Sequence, residues 1–274
     1  MGPKTRVMSF NVNGIRARLH QIEKVLEEHK PDVLGLQEIK VSDEEFPVEA
    51  ITVLGYNVDF FGQKGHYGVA LLSKTKANTV LRGFPSDEED AQRRVIHGEY
   101  LVNGKVLHVI NGYFPQGESR KHPTKFPAKE KYYSDLTRYI TDTFATNDNV
   151  VVMGDMNVAA TDADVGIKPE NAKRWLQRGI CCFLPEEREW LQNLLNTGLI
   201  DTFRHMNAND QSSFSWFDYR SRGYEQEPKR GLRIDLILAT QNLVDVLEGT
   251  GIDFKARASE KPSDHCPIWA DFAL

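Results

Sequence analysis

The 274-residue chain has 34 basic and 39 acidic side chains, a net charge of −5, with 40% hydrophobic residues and 20 glycines, which excludes disordered and fibrous classes. Its longest apolar stretch, Tyr67 to Leu72, is far short of the roughly twenty residues a membrane helix needs, and Met1 to Arg6 lack the apolar core of a secretory signal. Three cysteines, two of them adjacent at Cys181 and Cys182, form no spaced disulfide framework, so a reducing cytoplasm and no membrane are expected.

In chain order, apolar runs at 7–10, 33–36, 56–61, 68–72, 95–101, 106–110, 150–153, 234–238 and 268–272 predict strands. Helical spacing appears at Leu19, Ile22, Val25 and Leu26, stopped near Lys30 by Pro31. It recurs at Tyr133, Leu136, Tyr139, Ile140 and Phe144, and at Trp190, Leu191, Leu194 and Leu195. Many strands and few helices predict an α/β (α+β) protein in which two stacked sheets are covered by helices. No linker, repeat or low-complexity tract divides the sequence, so residues 1–274 are expected to form one domain.

Five of the strand segments end on, or contain, polar groups: Ser9 to Asn13, Leu34 to Glu38, Val151 to Asn157, Arg233 to Leu238, and Pro262 to Pro267. A strand buried on both faces tolerates an ionisable group only where a metal, a charge or a hydrogen bond compensates its desolvation. Converging, the five ends would make an acidic, cation-attracting cleft. Each also has a bland reading. Asn11 to Asn13 and Gly154 to Asn157 suit turns, Glu38 could pair with Lys40, and Ser263 to His265 could be a clipped polar loop. Asp235 is harder to dismiss inside Ile234 to Leu238, where an unpaired carboxylate costs about 1–3 kcal/mol or more, and His265 is the natural partner.

Hard oxygen donors such as Glu38 and Asp264 suit Mg²⁺, with Mn²⁺ as a substitute, and no clustered Cys/His set suggests zinc. This inventory fits metal-assisted phosphodiester hydrolysis, with Asp155 deprotonating water and His265, oriented by Asp235, holding a phosphate oxygen. The phosphate-loop, nucleophile-elbow and zinc-helix signatures are missing. Gly62 to Gly68 reads as a tight turn, with Lys64 near phosphate. Residues 120–131 hold five basic residues against Glu130 alone, a stripe that could face a phosphate backbone or simply be solvated.

The segments Gly62 to Val69, Asn111 to Ser119, Phe183 to Trp190, Phe214 to Arg220 and Lys261 to His265 closely resemble the bacterial exonuclease III family of abasic-site endonucleases, in the endonuclease/exonuclease/phosphatase superfamily. The likeness runs from Val7 to Phe272. It implies a four-layer, DNase I-like sandwich of two mostly antiparallel sheets flanked by helices. It also implies Mg²⁺-dependent incision of duplex DNA 5′ to abasic sites, 3′-to-5′ exonuclease action, and 3′-phosphatase and phosphodiesterase activities, in a monomer.

By the same resemblance, Glu38 is the metal ligand, Asn11 a metal-site or orienting residue, and Asp264 a second carboxylate near the metal. Asp155 is the water-activating carboxylate, Asn157 the positioning amide, Tyr113 a phosphate contact, and Asp235 with His265 a hydrogen-bonded pair. Trp216, Phe217 and Leu232 match an apolar pocket for a flipped baseless sugar, whose extrusion costs less than that of an intact nucleotide. Taken without the family, an aromatic pair at that spacing is more often core than pocket. Gln116, Arg94, Arg120 and Lys125 are expected substrate contacts, with Arg93, Lys121 and Arg230 as further cations. Asn13 replaces an aspartate of larger eukaryotic relatives, and Cys266 an alanine frequent in close ones; Cys266 reads as a buried thiol, with oxidation the alternative. A phosphatase or phosphodiesterase acting on inositol phosphates, sphingolipids or RNA tails shares the central motifs and is the rival enzyme class. A non-enzymatic DNA-binding scaffold is the other.

Overall fold

The computed structural model describes residues 3–274. The chain runs through β1 (Thr5–Asn11), α1 (Ile15–His29), β2 (Val33–Gln37), α2 (Val48–Thr52), β3 (Asn57–Phe61), β4 (Val69–Ser73) and β5 (Thr79–Arg82). It continues through β6 (Val95–Val102), β7 (Lys105–Tyr113), α3 (Lys125–Thr143), β8 (Val150–Asp155), α4 (Pro169–Arg178) and α5 (Pro185–Leu195). The remainder comprises β9 (Leu199–Asp201), α6 (Thr202–Met206), β10 (Asp235–Thr240), α7 (Gln241–Val244), β11 (Leu247–Ile252), α8 (Phe254–Arg257) and β12 (Ile268–Phe272).

Period-two alternation, with both faces buried, decides the layering. One sheet has the order β11-β12-β1-β2-β4-β3, the other β5-β6-β7-β8-β10-β9. Val7, Val33 and Leu71 of the first meet Val109, Val151 and Ile237 of the second between the sheets. Their neighbours Met8, Leu34 and Leu72 face outward onto Ile22, Val25 and Leu26 of α1. On the opposite surface Ile110, Val152 and Leu236 pack under Tyr133 and Leu136 of α3 and Leu191 of α5. The result is the expected four-layer sandwich. Among the described residues its ladders are antiparallel except β1 with β2 and β7 with β8.

Every strand expected from the sequence is present. Those not expected, β5, β9 and β11, are sheet edges, short or half exposed, and an edge carries no continuous apolar run. Helix α3 begins at Lys125, eight residues before Tyr133, because Pro127 sits in the first turn, where no amide hydrogen bond is lost. Helix α4 buries no residue completely and so has no core stripe to read. Its punctuation, Pro169 at the start and left-handed Gly179 at the end, is the signal that would have revealed it.

The same alternation puts Ser9, Asn11, Gln37, Asn111, Tyr113, Asp155 and Asp235 on the inner faces, at one end of the sandwich. There the apolar seam becomes polar. Gln37 Nε2 donates to Asn111 Oδ1 at 2.6 Å and to Ser9 Oγ at 3.0 Å. Asn111 Nδ2 crosses to the carbonyls of Leu36 and Ala70 at 2.9 and 2.8 Å. Gly35 permits this crossing, since a Cβ there would lie 2.7 Å from Asn111 Cγ.

Candidate active site

The cleft opens where this polar seam reaches the surface. Its volume is about 200 Å³, and its lining includes Glu38, Tyr113, Gln116, Asp155, Asn157, Trp216, Leu232, Asp264 and His265. Nine expected residues, scattered through the sequence, thus meet at one concavity.

Asp155 stands at the last position of β8, opposite both Asp235 and Tyr113 in the strand registers. Gly154 before it has φ +145° and lies so close to Gly112 that a Cβ would strike the Gly112 carbonyl, so only glycine fits where β8 turns the carboxylate into the cleft. Asn11 Nδ2 donates to Asp155 Oδ2 at 2.9 Å and to Glu38 Oε1 at 2.8 Å. One amide therefore orients a carboxylate from each sheet. Its oxygen accepts from the Asn13 amide at 3.0 Å, which makes Asn11 an orienting residue in this geometry.

The local turns expected as bland alternatives are also present. The Asn157 amide donates to Asp155 Oδ1 at 3.1 Å, and Lys40 Nζ lies 3.3 Å from Glu38 Oε2. Turn and site are the same structure: Asn13, Glu38, Lys40 and Asn157 all have left-handed backbones, with φ between 45° and 57°, a conformation that costs energy and clusters at functional sites.

His265 Nδ1 lies 2.8 and 3.1 Å from the two oxygens of Asp235, and its Nε2 is 3.6 Å from Asp155 Oδ2. Two serines brace the pair. Ser215 Oγ accepts from the amides of Ile234 and Asp235 at 3.1 and 3.0 Å. Ser263 Oγ donates to the Asn11 carbonyl at 2.7 Å and accepts from the His265 amide at 3.2 Å. Neither serine was expected from the sequence.

Burial pushes the Asp155 carboxyl up to about 8; Asp235 and Glu38 add to the rise, while His265 and Asn11 oppose it. Burial would depress His265, but Asp235 and Asp155 outweigh it and hold the imidazole well above its usual value. Tyr113 is pushed far above the ordinary phenol value by burial, Glu38 and Asp155, so its hydroxyl remains a donor.

Donor atoms of Glu38, Asp155 and His265 lie within 4.8 Å of one another. Such a group could hold a divalent cation, with Glu38 offering the hard carboxylate oxygen beside Asp155. Asp264 is not in this converging group. Its oxygens accept from Asn13 Nδ2 and Trp216 Nε1, both at 3.1 Å, so it tethers the aromatic wall.

Trp216 pairs its backbone with Leu232 on one side and His265 on the other. Phe217 requires a correction. It is 0% exposed, behind the wall, among Phe214, Cys266 and Tyr224, because the alternating backbone turns successive side chains in opposite directions. Trp175, Cys181, Cys182 and Ile234 complete the lining. Cys182 is pushed up to about 12 by burial, and Cys266 lies fully buried.

None of the expected cations is in the cleft lining itself. Arg94 donates to the Tyr113 carbonyl at 3.1 Å and stacks over the rings of Tyr113 and Tyr67. Arg120 pairs with Glu186, Lys125 with Glu118 at 2.8 Å, and Lys64 with Glu45 at 3.3 Å. Lys129, read as part of the basic stripe, is wholly buried. It pairs with Glu187 and donates to the carbonyls of Asn157 and Gln116 at 2.7 and 3.2 Å. Its place in the α3 stripe, three and four residues before Tyr132 and Tyr133, was the available signal.

The model of the Endonuclease/Exonuclease/phosphatase family matches residues 8–265. Exodeoxyribonuclease III of Haemophilus influenzae is 55% identical over 267 residues, covering 97% of this chain and 99% of that one. An AP endonuclease from Archaeoglobus fulgidus superposes with a TM-score of 0.89 at 35% identity, covering 98% of this chain and 100% of the other. A 3′-5′ exonuclease from Neisseria meningitidis gives 0.88 at 36%, covering 98% and 99%. Matched from β1 to the imidazole that closes the cleft, the chain belongs to the endonuclease/exonuclease/phosphatase family, with the exonuclease III enzymes.

Proposed function

We propose that this protein is a DNA repair nuclease that hydrolyses phosphodiester bonds 5′ to abasic sites and at 3′ ends of duplex DNA, including 3′-phosphates, with Mg²⁺ at Glu38 and Mn²⁺ as a substitute. It acts as a single-domain monomer in the cytoplasm. The observation that carries this reading is the meeting of Glu38, Asp155 and His265 within 4.8 Å, with the Asp155 carboxyl raised to about 8. A general base serves best when its pKa lies near the working pH. The crowding of Asp155 by Glu38 and Asp235 is the excess negative charge that a divalent cation relieves.

The catalytic parts follow from the contacts. Asp155 takes a proton from the attacking water, whose position the Asn157 side chain helps fix; its Nδ2 is anchored on the Phe114 carbonyl at 2.8 Å. The new P–O bond forms as the P–O3′ bond breaks, with the electron pair leaving on the 3′ oxygen. His265, kept cationic by Asp235, and Tyr113, kept protonated, donate to non-bridging phosphate oxygens. Mg²⁺, when bound, supplies the charge that neutralises the pentacovalent phosphate. Trp216 and Leu232 form the apolar wall for a baseless sugar, and Gln116 reaches the same cleft.

The test is incubation with duplex DNA carrying one abasic site, in Mg²⁺ and in EDTA, beside undamaged blunt duplex and an inositol polyphosphate. Mg²⁺-dependent cleavage immediately 5′ to the lesion is expected. Survival of the abasic strand while blunt ends are degraded removes the pocket assignment, and phosphate release from the inositol alone moves the protein to the rival class.

A further inference from the structure

Lys168 to Arg178 carries four basic residues, Lys168, Lys173, Arg174 and Arg178, against Glu170 alone. All four are exposed, and among the described residues none makes an ion pair or a side-chain hydrogen bond. The stripe at 120–131 is different: four of its five basic residues, Arg120, Lys125, Lys129 and Lys131, are each matched to a carboxylate, and among the described residues only Lys121 is not. Helix α4 therefore gathers four cations without a carboxylate partner beside the cleft, in a protein whose overall charge is −5.

Helix α4 also reaches the site. Trp175 lines the cleft together with Trp216 and Leu232. It stacks on Phe183 with centroids 5.7 Å apart and planes 13° apart, while remaining partly exposed. Arg178 is three residues beyond Trp175 and four beyond Arg174, a spacing that sets the three along neighbouring rows of one side of the helix. The helix C-terminus is locked to the loop after β7 by the Arg120 amide, which donates to the Gly179 carbonyl at 2.7 Å. Ala172 and Trp175 pack against the fold, while the exposed cations of the segment are left for contacts outside it.

We propose that α4 is the duplex-gripping element of this enzyme: Arg174 and Arg178, with Lys168 and Lys173, bind backbone phosphates, and Trp175 is a specificity residue, a second aromatic wall that favours an abasic over an intact nucleotide. This inference rests on the DNA-nuclease reading. Phosphate contacts of this kind add affinity without sequence preference. Each contributes about 0.9 to the slope of log K against log salt.

The two readings separate when binding is measured in EDTA, where no strand is cut, by fluorescence anisotropy of labelled abasic and intact duplexes over a salt series. For Arg174→Ala/Arg178→Ala the salt slope should fall by about 1.8, two contacts at about 0.9 each. Lys76→Ala/Lys105→Ala, which removes two exposed cations from the opposite end of the sheets, should keep the wild-type slope. Trp175→Ala should lose most of the preference for abasic over intact duplex, and Trp175→Phe should retain it. Wild-type protein that fails to bind either duplex defeats the nuclease reading itself. Wild-type binding with an unchanged slope in the arginine variant overturns the gripping role of α4, and an unchanged preference in Trp175→Ala overturns the second wall.

Discussion

Lys129 Nζ donates to the backbone carbonyl of Asn157 at 2.7 Å from a wholly buried position, so a charge inside the outer helical layer holds the left-handed residue that follows the strand ending on Asp155. Burial opposes the ammonium, but Cys182, Glu187 and Cys181 keep it above the ordinary lysine range. Lys129→Met leaves Glu187 buried and unpaired, and should destabilise the protein by about 3–5 kcal/mol. Lys129→Met/Glu187→Met should recover much of that in urea unfolding while turnover stays low. If the double variant regains full turnover, Lys129 does not position Asn157.

Asp155→Asn should reduce turnover by orders of magnitude and yet raise the melting temperature in EDTA. The folded protein holds a proton on Asp155 up to about pH 8, whereas the unfolded chain releases it near 3.8. The native state binds more protons between these values, so stability from this group declines as pH rises through the window. The raised His265 acts in the same sense above 6.5. Thermal unfolding in EDTA from pH 5 to 9 should show a downward trend that is flatter in Asp155→Asn. An equally steep trend would remove Asp155 as its source. Mg²⁺ should stabilise wild-type protein most at the alkaline end.

Asp235→Asn removes the nearest charge that keeps His265 cationic. The alkaline limb of the kcat profile should move to lower pH, with abasic duplex as substrate. An unmoved limb in a folded variant means that another group sets it.

Gly35→Ala places a methyl 2.7 Å from Asn111 Cγ and 2.8 Å from Met153 Cε. Overpacking of this kind costs about 1–3 kcal/mol, and displacement of Asn111 would also free the Leu36 and Ala70 carbonyls. A lowered urea midpoint is expected; an unchanged midpoint would show that the seam can yield by a few tenths of an ångström.

Strands such as β2 and β8 were legible because burial on both faces leaves an unbroken apolar run, and the polar groups at their ends marked the cleft. The pairing of Asp235 with His265 could be foreseen from the cost of a lone carboxylate. Invisible were features set by tertiary contact: edge strands with no apolar period, Ser215 and Ser263 as braces, and Phe217 turned away while Trp216 faces the cleft. Lys129 misled because charge patterning counts residues along the chain, whereas α3 rolls that residue under the helix. Helix α4 escaped notice because its role lies in what it leaves exposed.

Asn11 grips a carboxylate from each sheet with a single amide nitrogen, which has a consequence for the protein's life before it is fully made. Neither half of the sandwich holds both carboxylates, so a chain still emerging or unfolded has not assembled the cleft. The nuclease is armed only by completion of its own architecture.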